Sequence, residues 1–259
     1  MASEFSISPE GEKFPLPRKE QYAAEFERLK KLADAKRAEG KEIVVVVGVG
    51  FVGAVMAAVV ADSRDKKTGK HNKFVIGQQR PSTRSYWKIE LLNRGQAPVK
   101  AEDPEVDPMI ARCVKEHGTL TATYTHEVLK LADVVVVDVQ CDYLKKDLGN
   151  LRTGAAEMAA LEKSMATIGD TIQPHCLVLI ETTVAPGTTE YVAYPILKKA
   201  FEKRGLATEP LLAHSFERVM PGRQYVSSIR DFWRVCSGVN EESRRRVVKF
   251  LSEVLNVEQ

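Results

Sequence analysis

Three glycines, Gly48, Gly50 and Gly53, carry the spacing G-x-G-x-x-G within GVGFVG, and that spacing suits a bound phosphate. The first glycine permits a tight turn and the second removes the side chain where a pyrophosphate approaches. The third lets a helix and a strand pack closely. Free N–H groups near Phe51 and Val52, at the start of the helix that follows, would face the anion. Further on, Gln79 and Arg80 stand in FVIGQQRPSTR, where a dinucleotide held by those glycines would present a ribose.

The elements that must hold these residues begin with 43–61, IVVVVGVGFVGAVMAAVVA, a run without a charged side chain. About 18–20 apolar residues can span a membrane, so length alone admits that reading. The order of the residues argues against it. Consecutive valines favour a pleated strand, and the Ala, Val and Met after Gly53 suit a helix. The flanks, Lys41 and Glu42 before and DSRDKKTGK after, agree with burial inside a soluble protein.

Further β-branched runs follow at 74–77, 133–139, 176–181, 210–214 and about 234–238. Helical patterns lie at 51–62, roughly 84–94, 107–117, 125–131, 155–169, 187–203 and 241–256. Alternation of this kind predicts an α/β fold: a doubly wound, mainly parallel, Rossmann-like sheet with helices on both faces. Ligands of such a sheet sit at the carboxyl ends of the strands, so the informative residues follow each apolar run. Residues 1–40 are expected to be an N-terminal arm and an amphipathic helix. Pro9, Pro15 and Pro17 predict an arm without regular structure, and Tyr22, Phe26, Leu29 and Ala33 then recur at helical spacing up to Gly40. That helix is expected to pack on its own sheet, with a subunit contact as the other reading. Residues 41–259 are expected to form a dinucleotide-binding domain.

Sheets of this kind that use NAD usually end their second strand in Asp or Glu, which binds the ribose hydroxyls. Here that place falls to Gln78 or Gln79, and Arg80 and Arg84 follow. Glutamine still hydrogen-bonds a hydroxyl, whereas a guanidinium suits a phosphate. NAD is the expected cofactor; NADP stays open, and the two arginines could equally be solvated.

Composition narrows the partners. The net charge is +3 over 259 residues, with basic and acidic side chains interleaved, which gives no case for nucleic acid. The opening MASEFSISPEGEK is polar and lacks the apolar stretch of a secretory leader, which predicts a cytoplasmic protein without a membrane span. Cys113, Cys141, Cys176 and Cys236 fit neither a zinc spacing nor a disulfide framework. They read as buried thiols, and no metal site is expected.

Two more stretches follow apolar runs: IETTVAPGTTE (180–190) and HSFERVMPGR (214–223). Together with GVGFVG and LLNRGQAPVKAEDPEV (91–106), they resemble the UDP-glucose / UDP-N-acetylmannosamine dehydrogenase family. Its N-terminal domain carries G-x-G-Y/F-V-G, L-x-N-x-G-x-x-P, E-S/T-T-V-x-P-G-T-T and S-P-E-R-x-x-P-G in this order. The resemblance runs from about Lys41 to the end of the chain. It implies oxidation of the C6 alcohol of a UDP-hexose to a carboxylate in two NAD-dependent hydride transfers. An enzyme cysteine traps the aldehyde as a thiohemiacetal and then a thioester, which water hydrolyses. Thr183 matches the threonine that hydrogen-bonds near the reacting centre and its water. Glu217 matches the general base for that water, and Glu181 matches the motif's leading Glu, in a supporting place near the cofactor or the sheet. A UDP-sugar partner and a homo-oligomeric full-length enzyme are also implied, and VMPGR leans towards the N-acetylated branch.

Apart from the resemblance, Thr182 and Thr183 could finish a strand and cap a helix. Glu217 could pair with Arg218 or Arg223, and His214 reads as structural or a substrate neighbour. The family's proline in S-P-E-R is Phe216 here. Its catalytic Lys and Asn, and the nucleophilic Cys of G-G-x-C-F/L-x-K-D, have no counterpart. Cys141 and Cys236 lack an evident cation or helix N-terminus to stabilise a thiolate. The chain therefore reads as the cofactor-binding part of a bipartite enzyme, expected to bind cofactor without turning over alone. The other readings are a β-hydroxyacid-type dehydrogenase, which needs a further helical domain, and a catalytically inactive nucleotide-sensing or interaction module.

Overall fold

The apolar run 43–61 divides at its glycines. In a computed structural model, which describes residues 4–145, 147 and 154–257, helix α1 (Lys19–Ala38) leads into strand β1 (Glu42–Val47) and helix α2 (Phe51–Asp62). Residues 1–3 of the expected arm and 258–259 of the expected domain lie outside the described residues. The chain continues through β2 (Lys73–Gln78), α3 (Tyr86–Asn93), α4 (Val106–Lys115), β3 (Leu120–Thr123) and a 3-10 turn (His126–Leu131). Next come β4 (Val134–Val137), α5 (Ala159–Thr171), β5 (Leu177–Ile180) and a π turn (Thr189–Ala193) that runs into α6 (Tyr194–Lys203). The last elements are β6 (Leu211–His214), α7 (Tyr225–Arg230), β7 (Ser237–Gly238) and α8 (Glu241–Val254). The sheet order is β7-β6-β5-β4-β1-β2-β3, parallel except for β7 against β6. This is the doubly wound order 3-2-1-4-5-6 with one added antiparallel edge.

Both faces of the sheet are covered. Val44 and Val46 of β1 point into a core shared with α2, α3, α4, α7 and α8. Ile43, Val45 and Val47 point into a second core with α1, α5 and α6. Burial on both faces is why this strand reads as an unbroken apolar run instead of an alternating one. Helix α2 is buried from Gly53 through Ala61, which accounts for its lack of a polar face. Among the described residues no helix is long and apolar enough to cross a membrane. Helix α1 inserts Leu29 and Ala33 into the second core, so it packs on its own sheet.

Three local expectations need correction. The arm is not irregular: 5–7 pairs with 13–15 in a hairpin turned at Gly11 (φ +87°), and Phe14 enters the core. Its prolines do not oppose pairing, because Pro9 sits in the turn and Pro15 ends a strand. Residues 155–157 pair with 142–144, so α5 starts at Ala159 and not at 155. Strand β3, sequence LTAT, gives no apolar run because two of its four residues are threonines. Its open edge is closed by Asn93, which takes the Ala122 N–H at 2.7 Å and donates to the Ala122 carbonyl at 3.0 Å. The asparagine of LLNRGQAP thus blunts a sheet edge.

Candidate functional site

Five parallel strands end in register. Gln78 pairs with Val47, Val47 with Val137, Val137 with Ile180, and Ile180 with His214. The residue after each therefore lines one edge: Gln79, Gly48, Asp138, Glu181 and Ser215. Backbone bonds fix that row, among them Gly48 N–H to the Gln78 carbonyl (2.9 Å), Asp138 N–H to Val47 (2.9 Å) and Glu181 N–H to Val137 (3.1 Å). The strand order reverses between β1 and β4, so Gly48 and Asp138 flank the crevice where such sheets bind ligands.

The three glycines divide into two that are packed tight and one that is open. Gly48 has φ +99°, and a Cβ there would lie 2.6 Å from the Asp138 carbonyl oxygen. A Cβ on Gly53 would lie 1.8 Å from the Gly48 carbonyl oxygen. One on Gly50 would meet nothing within 4 Å. The Ala54 N–H reaches the Gly50 carbonyl at 3.2 Å as the first rung of α2. Geometry leaves the N–H groups of Phe51, Val52 and Gly53 without acceptors inside the helix. Gln79 Oε1 accepts the Val49 N–H at 3.1 Å, which places that side chain against the glycine loop. Arg80 is exposed beyond it.

On the far side of the crevice, the Thr183 hydroxyl donates to Glu217 Oε2 at 3.1 Å. The neighbouring Thr182 instead donates to the Val139 carbonyl at 2.8 Å and ties β5 to the end of β4. Phe216 does not free the loop, because the Ser215 N–H bonds Ile180 (3.0 Å) and the Glu217 N–H bonds the Glu181 carbonyl (2.9 Å). Among the described residues neither Arg218 nor Arg223 pairs with Glu217; Arg218 lies 5.9 Å over the Phe232 ring. Glu181 has no exposed side-chain surface, and its Oε1 faces the equally buried Arg234 Nη1 at 3.4 Å. Burial pushes the Glu181 carboxyl up to about 7, with Arg234 opposing the rise and Glu217 adding to it. Burial likewise holds Asp138 well above the ordinary carboxylate range, reinforced by Glu181 and then Glu217. Asp138 Oδ2 and Glu181 Oε2 are buried without a hydrogen-bond partner among the described residues. Burial also lowers His214, whose Nε2 has no partner among the described residues.

Three residues at this edge were not singled out from sequence. Asp138 directly follows an apolar run, so the rule about strand ends could have found it. Arg234 stands in RVCSG, where the apolar pattern predicts a strand over about 234–238; the strand is only Ser237–Gly238, and Arg234 lies in the loop before it. Tyr225, which donates to the Phe51 carbonyl and stacks on that ring at 4.9 Å, gave no signal. The cysteines are free and sit in shielded surroundings, Cys113 and Cys176 buried and Cys141 and Cys236 half-buried. Burial raises all four, Cys113 to about 12, so none is poised as a thiolate. Among the described residues no group of three His, Cys, Asp or Glu could hold a metal ion.

The profile of the UDP-glucose/GDP-mannose dehydrogenase family, NAD binding domain, matches residues 42–256. The chain belongs to this family. Within it, the domain is 27% identical over 200 residues to a UDP-N-acetyl-D-mannosamine dehydrogenase of Pyrococcus horikoshii, covering 77% of this chain and 42% of that protein. A GDP-mannose 6-dehydrogenase of Pseudomonas putida is 29% identical over 175 residues, covering 64% of this chain and 35% of that one. The crystal structure of an NDP-N-acetyl-D-galactosaminuronic acid dehydrogenase from Methanosarcina mazei superposes with a TM-score of 0.72 at 34% identity, covering 88% and 46% of the two chains. This NAD-binding domain thus spans less than half the length of each of these relatives.

Proposed function

We propose that this chain is the cofactor-binding part of an oxidoreductase that converts the C6 alcohol of a UDP-hexose, in its N-acetylated form, to the uronate. The observation that carries the reading is the Thr183–Glu217 hydrogen bond, made at the same sheet edge as the open glycine loop. The names of the Pyrococcus and Methanosarcina relatives support an N-acetylated nucleotide sugar.

The NAD of this family supplies a hydride acceptor when bound. Open space at Gly50, beside the close approaches at Gly48 and Gly53, fits a pyrophosphate. The N–H groups of Phe51 and Val52 would receive that anion, and Gln79 and Arg80 would meet the ribose. Gln79 carries no charge to repel a 2′-phosphate, so the site also admits NADP. Thr183 holds one oxygen of Glu217 and so orients the other towards a water. A carboxylate in that position accepts the proton of an attacking water. Glu181, buried against Arg234, acts through its field and not by touching ligand. None of the four cysteines, all held as thiols by burial, supplies the nucleophile that the resemblance implies.

Calorimetry with NAD on the chain and on Gly50→Ala tests the cofactor site. Assay of NAD-dependent uronate formation from UDP-N-acetylhexoses by the full-length protein tests the reaction. Binding lost in Gly50→Ala and turnover lost in Glu217→Gln support the reading. Cofactor binding indifferent to the glycine, or full turnover in the glutamine variant, overturns it.

A further inference from the structure

The segment Phe232–Cys236 turns its charge inward and its apolar residues outward. Trp233 is 64% and Val235 70% exposed, while Arg234 between them is 5% exposed. Folding ordinarily sorts such residues the other way, since an arginine is almost never fully buried without a partner. Its guanidinium spans three elements. Nη1 faces Glu181 Oε1 at 3.4 Å and the Phe216 carbonyl at 3.5 Å, and Nη2 faces the Ile229 carbonyl at 3.5 Å. Nε has no partner. These contacts are longer than the 2.7–2.9 Å usual for charge-assisted hydrogen bonds, so the head is shared among acceptors instead of locked to one.

The contacts close a ring around Glu217. Glu181 accepts the Glu217 N–H with its backbone carbonyl, and its carboxylate faces Arg234. Arg234 in turn reaches the carbonyl of Phe216, the residue before Glu217. From this geometry we infer that Arg234 is a positioning residue, which fixes the 215–217 loop so that the Glu217 carboxylate meets Thr183. The same cation opposes the rise that burial imposes on the carboxyls of Glu181 and Asp138, at the ends of β5 and β4. Glu217's part in the chemistry rests on the proposed function; Arg234's part in orienting Glu217 does not.

The test uses the 259-residue chain in three variants, because loss of one member of a buried ion pair can prevent folding. Arg234→Lys keeps the charge and loses the planar fork. Arg234→Gln loses both, and the pair Glu181→Gln with Arg234→Met removes both buried charges. Amide exchange by NMR is expected to speed up about tenfold at Glu217 in the double variant while amides of β4 and β5 stay protected. In Arg234→Gln, the carboxyl titration of Glu181 is expected to move up by about one pH unit or more, and Arg234→Lys to restore most of it. Unchanged exchange at Glu217 in a folded double variant would assign Arg234 to the fold alone. In the proposed dehydrogenase reaction, Arg234→Lys is expected to lower kcat with little change in KM. No turnover of any nucleotide sugar by the wild type, with faster exchange at Glu217 in the double variant, refutes the proposed function and leaves the positioning role standing.

Discussion

The Thr183 hydroxyl lies 3.1 Å from Glu217 Oε2, joining the loop after β5 to the loop after β6 across 34 residues of sequence. Thr183 is exposed and Glu217 partly so, and a hydrogen bond in such a place contributes only about 0.5–1.5 kcal/mol to folding. Its value lies in orientation. Thr183→Val is therefore expected to melt within a few degrees of wild type while kcat of the proposed dehydrogenase falls about 10²–10⁴-fold. Thr183→Ser keeps the donor and is expected to recover most of that loss. An undiminished kcat in the valine variant removes Thr183 from the mechanism.

The glycines of GVGFVG predict opposite results for the same substitution. At Gly53 an added Cβ would stand 1.8 Å from a backbone oxygen, so Gly53→Ala is expected to cost more than the ~1–3 kcal/mol typical of overpacking. At Gly50 the space is empty, and Gly50→Ala is expected to fold normally. The new methyl would project where the pyrophosphate approaches, lowering NAD affinity by at least about tenfold. Thermal melts and calorimetry separate the two. A Gly50→Ala chain that binds NAD as wild type does would place the cofactor elsewhere.

Why some of this was legible in sequence and some not follows from which forces act locally. The valines of β1 and the all-apolar α2 could only be buried on every side, so the two-faced sheet was readable. Strand β3 was not, because Thr121 and Thr123 interrupt any apolar pattern and its pairing depends on distant partners such as Asn93. The hairpin 5–7/13–15 was masked by prolines that in fact occupy a turn and a strand end. At the site, the resemblance pointed to Thr183 and Glu217, which the fold brings together. It did not reveal their surroundings. That Arg234 is buried against Glu181 is set by tertiary packing and leaves no local trace.

On the proposed reading of the site, cofactor choice turns on Gln79. Its Oε1 already accepts the Val49 N–H, so its amide nitrogen remains as the donor towards a ribose or a phosphate. An aspartate there could keep the Val49 bond with one oxygen and accept a ribose hydroxyl with the other. Gln79→Asp is expected to raise the NAD-to-NADP affinity ratio about 10–100-fold through like-charge repulsion of the 2′-phosphate. Arg80→Ala is expected to weaken NADP and spare NAD. Calorimetric titration with both cofactors decides the point, and an unchanged ratio in Gln79→Asp means that this side chain does not face the ribose.

The buried Glu181–Arg234 pair makes stability depend on pH with a defined sign. Unfolded, the Glu181 carboxyl titrates near its ordinary 4.5; folded, burial raises it to about 7. Between those values the folded state holds more protons than the unfolded state, so stability falls as pH rises through the window. The full loss, on the order of 3 kcal/mol, is present above about pH 7 and absent below about 4.5. Asp138, raised in the same direction, adds to the slope. His71 and His214, lowered chiefly by burial, oppose it by weakening the fold as pH drops below their ordinary 6.5. The comparison that isolates the pair is therefore between wild type and the double variant Glu181→Gln/Arg234→Met, melted at pH 5.5 and at pH 8. Wild type is expected to lose more stability than the double variant on going to pH 8, by several degrees of melting temperature at about 2–4 °C per kcal/mol. Equal shifts in the two proteins would mean that Glu181 is ionised throughout, with Arg234 neutralising it completely.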